Sequence, residues 1–315
     1  MGLQKIMMND TNTFDALIIG GGPAGLTASI YLSRAGFKNG YIEKNIPGGK
    51  IVNIDSIKNY PGFNQIKGAD LALRMYSQVE SLGGITIFGN VNMIDRHGDY
   101  HVVYCDGGGT WFCKSLIITT GTASKKIKCE NADYYLNKGI SYCAICDGNL
   151  AKNCEVCVVG NDNITINNII YLSNIASKIS VINEYANFHA NNRKIKELLT
   201  LGKIKIFNES VIKKINGDNQ AINSIDINQK NTSINIPCKF IYVSNGQQPQ
   251  TEFIKYKDLC DSEGYIIHSP DMSTSIPGLF SAGDCNHESI KQITNAVGQA
   301  TVAALTAINY LNSKK

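Results

Sequence analysis

Short, continuous apolar runs alternate along the chain with segments in which apolar residues recur every three or four positions. Near the start, residues 16–19 form such a run, and Leu26 and Ile30 then follow at helical spacing up to Gly36. A second strand is predicted for residues 39–44, NGYIEK. Continuous runs are typical of strands buried in a parallel sheet, the wider spacing is typical of helices, and glycine favours the position just after a helix. The pattern therefore predicts a strand, a turn, a helix and a second strand.

The same order of elements returns in the middle of the chain, in residues 153–184. Strand-like runs separated by turns follow it in residues 204–217, 222–229 and 238–246. The chain thus holds two similar halves, each based on a strand–helix–strand unit, which predicts an α/β fold. Near the end of the chain, apolar residues that share one face predict a long amphipathic helix. They are Ile293, Val297, Ala300, Ala304 and Ile308.

The first turn carries the glycine pattern of a dinucleotide-binding site. Gly20 permits a tight turn, Gly22 lets the backbone approach a pyrophosphate, and Gly25 lets the helix pack closely on the strand. The helix N-terminus supplies free N–H groups and positive potential for the phosphates. Glu43, about 20 residues further on, occupies the place of a ribose-binding carboxylate. This context favours a bound dinucleotide over a glycine-rich loop without a ligand.

The second turn has lost part of this pattern. Gly160, Asp162 and Thr165 stand at its three glycine positions. Asp162 places a carboxylate where a pyrophosphate should bind, and two unit charges about 4 Å apart interact by about 4 kcal/mol at an effective dielectric of about 20. We therefore expect the second half to bind a dinucleotide much more weakly than an intact site would.

Composition narrows the class of protein. A chain of 315 residues with 43% hydrophobic and 18% charged residues is typical of a globular enzyme with one large or two medium domains. The net charge of +4 is too small to indicate a nucleic-acid-binding protein, and no apolar run is long enough for a transmembrane helix. The N-terminal residues lack the apolar segment of a secretory signal, so we expect a cytoplasmic location. Most of the ten cysteines are then expected to be buried thiols, such as Cys238 and Cys285.

Two cysteines carry the candidate chemistry. Cys143 and Cys146 have the CxxC spacing at which two thiols close a small disulfide ring and exchange with another disulfide. The adjacent Asp147 is placed to act as the acid or base for a thiolate. A zinc site would need two further ligands, nominally Cys154 and Cys157. Because these two residues open a strand and face opposite ways, the redox interpretation is favoured.

The stretches around these motifs resemble the low-molecular-weight, bacterial-type thioredoxin reductases over nearly the whole chain. They include IIGGGPAGLTASIYLSRAG, NYPGF, IITTGTAS, GISYCAICDG and IPGLFSAGDC. The resemblance implies an α/β fold with two Rossmann-like, three-layer ββα domains of the FAD/NAD(P)-binding type, the second inserted in the first. It implies a discontinuous FAD-binding domain of residues 1–126 and 251–315, and an NADPH-binding-like domain of residues 127–250 that carries the CxxC pair. It further implies a homodimer that acts on a thioredoxin-like protein.

The resemblance also implies roles for individual residues. Cys146 is expected to lie against the flavin, and Cys143 is expected to attack the substrate disulfide, with Asp147 as the acid or base. Lys50 and Lys291 stand where the family usually has Gln and Arg. The residues expected to bind FAD are Gly20, Gly22, Pro23, Ala24, Glu43, Gly48, Gly49, Lys50, Asn59, Val91, Gly121, Gly283, Asp284, Lys291 and Gln292.

At the second turn the sequence departs from the family. Where these reductases have a His-Arg-Arg cluster for the 2′-phosphate of NADPH, this chain has Asn183, Glu184 and Tyr185. His189 replaces another usual arginine. Losing bidentate Arg–phosphate contacts and adding a carboxylate both weaken phosphate binding, so the sequence argues against NADPH as the donor. The pyrophosphate clash would affect NADH as well.

These departures favour a flavoprotein disulfide reductase whose FAD is reduced by a one-electron carrier such as ferredoxin, as in pyridine-nucleotide-independent members of the family. The net positive charge suits an acidic partner of that kind. Two alternatives stay open: an NADPH-dependent thioredoxin reductase with an atypical nucleotide site, and a non-catalytic, redox-sensing flavoprotein. The intact CxxC motif argues against the latter. The basic segment 193–205 is interpreted as a solvated face rather than a docking patch.

Overall fold

The computed structural model describes most of the chain, with short gaps. The described residues are 8–54, 56–136, 138–142, 144–188, 192–244, 246–287 and 289–314, and for residues 145, 146, 192 and 193 the backbone alone is described. Cys143 and His189, both singled out from the sequence, lie outside the described residues.

The chain forms two compact units. The first comprises Met1–Ala123 and Gln248–Lys315, and the second is Ser124–Gln247. The chain therefore passes between the units after residues 123 and 247. The domain boundaries predicted from the sequence lie three residues later in each case, after residues 126 and 250. Two short strands, β7 (Thr122–Ser124) and β16 (Gln247–Pro249), pair with each other at these passages.

The described residues of the first unit form a seven-stranded sheet and three α-helices. Its strands are β1 (Thr13–Ile19), β2 (Asn39–Glu43), β3 (Ile85–Phe88), β4 (Val91–His97), β5 (Tyr100–Cys105), β6 (Thr110–Ile118) and β17 (Leu279–Ser281), and its helices are α1 (Pro23–Arg34), α2 (Gly68–Ser81) and α6 (Ile293–Asn312). The strand order is β3-β2-β1-β6-β5-β4, and β17 also pairs with β6. The pairs of β1 with β2, β1 with β6, β2 with β3 and β17 with β6 are parallel, whereas β4 and β5 add an antiparallel hairpin to β6.

Helix α6 packs into the core of the first unit through small side chains. Of the face predicted from the sequence, Ala300 and Ala304 are fully buried, whereas Ile293, Val297 and Ile308 are partly buried beside the same core cluster. Short alanine side chains let helices approach closely. Within the described ranges no helix, α6 included, is long and apolar enough to cross a membrane. The alanines that α6 buries are Ala296, Ala300, Ala303, Ala304 and Ala307.

The second unit combines a parallel sheet with an antiparallel one. The parallel sheet has the order β11-β10-β9-β15-β8, and the antiparallel sheet has the order β12-β13-β14. The strands are β8 (Ile140–Ser141), β9 (Glu155–Val159), β10 (Lys178–Ile182), β11 (Ile204–Phe207), β12 (Ser210–Gly217), β13 (Ile222–Gln229), β14 (Thr232–Pro237) and β15 (Phe240–Val243), and the helices are α3 (Ala144–Asp147), α4 (Asn163–Ser173) and α5 (Asn192–Leu199).

Strand pairing makes the two units directly comparable at their first turns. In the first unit, Ile19 at the end of β1 pairs with Ile42 in β2. In the second unit, Val159 at the end of β9 pairs with Ile182 in β10. Both pairs are parallel and both lie at the carboxyl edge of their sheet, so the residues that follow them occupy equivalent places.

The backbone confirms this equivalence. The N–H of Gly20 donates to the carbonyl of Ile42 at 2.8 Å, and the N–H of Gly160 donates to the carbonyl of Ile182 at 3.1 Å. Gly160 is therefore the counterpart of Gly20. By the same register, Asn183 is the counterpart of Glu43, because each follows the paired isoleucine.

A buried histidine in the first unit gives a prediction about stability. The side chain of His101 in β5 is only 1% exposed, and burial, together with the nearby Arg96, lowers its pKa from 6.5 to about 4. Above pH 6.5 both folded and unfolded states hold the ring neutral, but below it only the unfolded state gains the proton. We expect the free energy of unfolding to fall by about 3 kcal/mol on this account between pH 6.5 and pH 4.

Chemical denaturation of wild type and His101→Gln at several pH values tests this prediction. The variant should lose less stability than wild type over that pH range, whereas His97→Gln, a control at an exposed histidine, should follow wild type. Parallel stability curves for wild type and His101→Gln would contradict the expectation.

Candidate functional site

Two glycines of the first turn are required by the fold itself. Gly20 has a φ of +103°, and a Cβ there would lie 2.6 Å from the carbonyl oxygen of Thr119. A Cβ on Gly25 would lie 1.8 Å from the carbonyl oxygen of Gly20. Any side chain at these positions would push α1 away from β1, so tight strand–helix packing explains both glycines.

Gly22 has no such explanation within the protein. Its φ of −75° is open to any residue, and a Cβ there would have nothing within 4 Å. Gly22 is also the N-cap of α1, and among the described residues no side chain caps that helix end. The first N–H groups of α1 therefore lack a capping side chain, and a helix N-terminus of this kind can receive phosphate groups.

Glu43 closes one side of this turn. It is the last residue of β2, is 8% exposed, and accepts the N–H of Gly21 at 2.8 Å through Oε2. Its Oε1 accepts the N–H of Asn45, also at 2.8 Å. Each carboxylate oxygen can accept a further hydrogen bond, so the two oxygens can also accept hydrogen bonds from ribose hydroxyls.

The PGGK loop lies directly on the turn. The N–H of Gly48 donates to the carbonyl of Gly21 at 2.7 Å, and a Cβ on Gly49 would come within 3.2 Å of the Gly22 Cα. Gly89, two residues before Val91, donates its N–H to the carbonyl of Glu43 at 3.0 Å. Gly48 and Gly49 therefore lie against the turn, and the segment that leads to Val91 contacts Glu43 through Gly89.

A second group of predicted residues meets at the start of α6. The Asn59 Nδ2 donates to the Gln292 Oε1 at 3.0 Å. The Lys291 ammonium donates to the Asp284 carbonyl at 2.6 Å and lies 4.5 Å from the centre of the Tyr265 ring. Gln292 is itself the N-cap of α6, with no side-chain cap. A second uncapped helix end thus stands beside the amides and the lysine.

The Asp284 carboxylate is close enough to two lysines to interact with their charges. Partial burial raises the pKa of the Asp284 carboxyl, and the ammonium groups of Lys50 and Lys291 oppose that shift. Desolvation lowers the pKa of both lysines, whereas the Asp284 carboxylate raises it. The Lys50 ammonium also donates to the Thr122 Oγ1 at 2.5 Å. The two ammonium groups and the one carboxylate together carry a net positive charge, and they belong to the same unit as the first turn.

The remaining predicted residues have local roles. Pro23 is the first residue of α1, and the next residue, Ala24, is buried. A Cβ on Gly283, whose φ is +87°, would lie 3.2 Å from the Ala24 Cβ, so the segment after β17 also touches α1. Gly121 has a φ of +63° and open space around it. Together with the uncapped turn and Glu43, these residues fit the phosphates and ribose of FAD.

The second turn is closed by its own side chains. Asp162 is the N-cap of α4, and its Oδ1 accepts the N–H of Thr165 at 2.8 Å. In return, the Thr165 Oγ1 accepts the N–H of Asp162 at 3.3 Å, which completes a capping box. Asp162 therefore satisfies the helix end that Gly22 leaves open in α1.

The loop after β10 follows the same backbone path as the loop after β2 in the first unit, but it carries different charges. Asn183 is fully buried, and its Oδ1 accepts the N–H of Tyr185 at 3.0 Å. Glu184 and Tyr185 are both exposed. This loop thus presents a carboxylate and an aromatic ring.

The redox segment is held through Asp147. Cys146 belongs to α3, which ends at Asp147, but its side chain is outside the described part, as is the whole of Cys143. The Ser141 Oγ donates to the Asp147 Oδ2 at 2.6 Å, and the Tyr242 hydroxyl donates to the Asp147 carbonyl at 3.2 Å. The exposed carboxylate of Asp147 therefore has a fixed position next to the second cysteine.

The other cysteines with described side chains behave as the sequence predicts. Cys157 is fully buried and burial raises the pKa of its thiol well above the usual value, whereas Cys154 is partly exposed, so the two face different environments. Burial likewise raises the pKa of Cys238 to about 12 and that of Cys285 to about 11. Over the described residues, no group of three His, Cys, Asp or Glu side chains is arranged to hold a metal ion.

These features agree with a comparison against protein families. Residues 14–300 match the family described as pyridine nucleotide-disulphide oxidoreductase. The chain belongs to this family. The match spans both units and both turns, so the α/β fold of the FAD/NAD(P)-binding Rossmann type predicted from the sequence is confirmed.

Individual relatives in the family confirm the predicted resemblance to thioredoxin reductases. The chain is 33% identical over 305 residues to a thioredoxin reductase of Mycoplasma pneumoniae, which covers 95% of this chain and 96% of the relative. It is similar to the crystal structure of Lactococcus lactis thioredoxin reductase in its FR conformation, with 31% identity, a TM-score of 0.78 and coverage of 95% and 99%. The ferredoxin-flavin thioredoxin reductase of Clostridium acetobutylicum gives 25% identity, a TM-score of 0.54 and coverage of 96% and 98%.

The comparisons do not support the ferredoxin-dependent subtype that the sequence favoured. Identity and TM-score are both higher for the L. lactis structure than for the ferredoxin-flavin structure. The description of the family names a pyridine nucleotide and not a ferredoxin. The alternative of an NADPH-dependent thioredoxin reductase with an atypical nucleotide site is therefore the better supported of the two.

Several contacts at the site were not predicted from the sequence. Ser141 and Tyr242 hold Asp147, and the Gln299 Oε1 accepts the N–H of Gly283 at 2.8 Å. The Tyr242 contact joins residues 95 positions apart. No local motif marks such residues, because their role depends on which strands become neighbours in the sheet.

The contrast between Gly22 and Gly25 yields a prediction. Gly22→Ala should fold with near wild-type stability but retain less flavin, because its methyl group enters space that the protein leaves open. Gly25→Ala should destabilise the protein by several kcal/mol, since its methyl group would collide with backbone. Flavin content after purification and thermal unfolding of both variants provide the measurement. Full flavin retention by Gly22→Ala would contradict the assignment of that space.

Proposed function

We propose that the protein is a flavin-dependent disulfide reductase that passes electrons from a pyridine nucleotide, through FAD and the Cys143–Cys146 pair, to a thioredoxin-type protein. The observation that carries the proposal is the open helix end at Gly22, which occurs in the same chain as a CxxCD segment whose acid is held in place. The family membership and the thioredoxin reductases among its relatives support it.

In this proposal the first unit binds FAD and the second carries the redox pair, with Lys50, Asn59, Lys291 and Gln292 toward the flavin. When bound, FAD supplies two-electron transfer between the donor and the Cys143–Cys146 disulfide. A positive helix end and two lysines favour the negative charge of a reduced flavin. A homodimer, as the resemblance implies, is part of the proposal.

The protein's own residues carry out disulfide exchange. Asp147 takes the proton of the Cys143 thiol, and the resulting thiolate attacks the substrate disulfide to form a mixed disulfide. The substrate thiolate that is released takes this proton back from Asp147. The Cys146 thiolate then attacks the Cys143 sulfur. This second attack restores the Cys143–Cys146 disulfide and releases the other substrate thiolate, which takes a proton from solvent. Two electrons and two protons thus reach the substrate for each turnover.

A second candidate is a reductase of the same kind that receives its electrons from a ferredoxin. The specific observation in its favour is the capping box at Asp162, which occupies the helix end that would otherwise receive a pyrophosphate. The Clostridium acetobutylicum structure is of an enzyme named for a ferredoxin donor. Both candidates share the first turn and the CxxC pair and differ only in the donor.

Anaerobic flavin reduction separates the two candidates. Oxidised protein is mixed with NADH, with NADPH, or with photoreduced ferredoxin, and flavin absorbance is followed. We expect bleaching by a pyridine nucleotide, followed by reduction of an added thioredoxin. Bleaching by ferredoxin alone would overturn the first candidate in favour of the second. Flavin that is reduced without any transfer to thioredoxin would contradict both.

A cysteine substitution tests the assigned thiol roles. Cys143→Ser should lower the rate of thioredoxin reduction by more than about a thousandfold, because the attacking thiolate is lost. Flavin reduction by the donor should persist. Cys154→Ser is the matched control, since Cys154 is a partly exposed cysteine of the same unit. Equal thioredoxin turnover in Cys143→Ser and wild type would refute the roles.

A further inference from the structure

We propose that the second unit discriminates between the two pyridine nucleotides and accepts NADH in preference to NADPH, with Glu184 as the discriminating residue. The inference rests on the proposed pyridine-nucleotide donor. It extends that proposal by naming which nucleotide the site takes and which side chain decides it.

Sheet register locates the ribose end of the nucleotide. The last residue of β2, Glu43, has Asn183 as its counterpart after β10, because the isoleucines that precede them pair in the same register with β1 and β9. In dinucleotide-binding folds the residue at this place faces the adenosine ribose, and the loop just beyond it meets a 2′-phosphate when one is present. The residue one position further is Lys44 in the first unit and Glu184 in the second.

The hydrogen bonds around Asn183 fix the path of this loop. The Asn183 Oδ1 accepts the N–H of Tyr185 at 3.0 Å, just as the Glu43 Oε1 accepts the N–H of Asn45 at 2.8 Å. The Asn183 Nδ2 donates to the Asn208 Oδ1 at 2.9 Å. Both loops therefore leave their strand in the same way, and the exposed Glu184 holds the place of an exposed lysine.

Two lysines near this loop have partners within the described part of the chain. A cavity of about 610 Å³ borders it, lined by Ala186 and Asn208 among others. Lys230 in its wall pairs with Glu209 at 2.7 Å. Lys205 lies over the ring of Phe207 at 4.8 Å, at the end of the adjacent strand. The ion pair adds no net charge beside the exposed carboxylate of Glu184, whereas a phosphate is bound by free cations.

A 2′-phosphate would bring up to two negative charges next to the Glu184 carboxylate, whereas a 2′-hydroxyl brings none. The capping box at Asp162 affects both nucleotides equally, because both carry the same pyrophosphate. The ratio of the two affinities is therefore set at the 2′-position.

One further feature points to a ligand at the second turn. Asn161 is the counterpart of Gly21, and its Nδ2 is buried without a hydrogen-bond partner among the described residues. Buried amide donors are normally satisfied, so this group is a candidate partner for a phosphate or ribose oxygen.

Titration calorimetry of the flavin-loaded protein with NAD⁺ and with NADP⁺ measures the discrimination directly. We expect NAD⁺ to bind at least about tenfold more tightly than NADP⁺. NADH should also bleach the flavin faster than NADPH at equal concentration. Glu184→Arg should raise the affinity for NADP⁺ by about tenfold or more and change that for NAD⁺ little, since it exchanges repulsion for a phosphate contact.

Two control variants keep the test decisive. Glu184→Gln removes the charge with little change of shape and should narrow the ratio of affinities. Asp99→Arg makes the same change of charge as Glu184→Arg, at an exposed turn of the first unit, and should leave both affinities unchanged.

Two results would overturn the inference in distinguishable ways. If NADP⁺ binds as tightly as NAD⁺ in wild type, the discrimination is wrong while the pyridine-nucleotide donor stands. If neither nucleotide binds and only ferredoxin reduces the flavin, the donor itself is wrong and the discrimination falls with it.

Discussion

The N-terminus of a helix at the carboxyl edge of a parallel sheet leaves backbone N–H groups that must find partners, and this constraint organises both units. Where the N-cap is Gly22, the helix end is open and a ligand's phosphates are the natural partner. Where the N-cap is Asp162, the protein supplies its own anion. One backbone arrangement, repeated in the same chain, thus leads to two different capacities for binding nucleotides.

The difference between the turns continues along the next strand. Glu43 offers a carboxylate to a ribose, and Lys44 follows it. At the equivalent place, Asn183 is committed to internal hydrogen bonds and Glu184 follows. The first unit therefore leaves its helix end uncapped, whereas in the second the same helix end is capped by Asp162. Such an arrangement suits a resident cofactor in one unit and a transient donor near the other.

Features that depend on local sequence were predictable, and those that depend on sheet neighbours were not. The glycine pattern at Gly20 and Gly25 follows from backbone geometry. The different environments of Cys154 and Cys157 were also expected, although Cys154 precedes strand β9 instead of opening it. Asp162 was identified from the sequence as a repelling charge. Its reciprocal bonds with Thr165 add that the carboxylate is itself bound to the helix end. The hydrogen bond from Tyr242 to Asp147 could not be predicted from the sequence. It forms because strand β15 brings the Tyr242 hydroxyl next to a residue that lies 95 positions away along the chain.

The most direct test of this account is the affinity of the flavin-loaded protein for NAD⁺ with and without the capping carboxylate. Asp162→Gly should fold, because glycine is tolerated at an N-cap at the expense of only a few tenths of a kcal/mol. Freed of its internal anion, the end of α4 should bind NAD⁺ about tenfold more tightly, as measured by calorimetry. An unchanged or weaker affinity in Asp162→Gly would contradict the claim that the N-cap residue decides what each turn can bind.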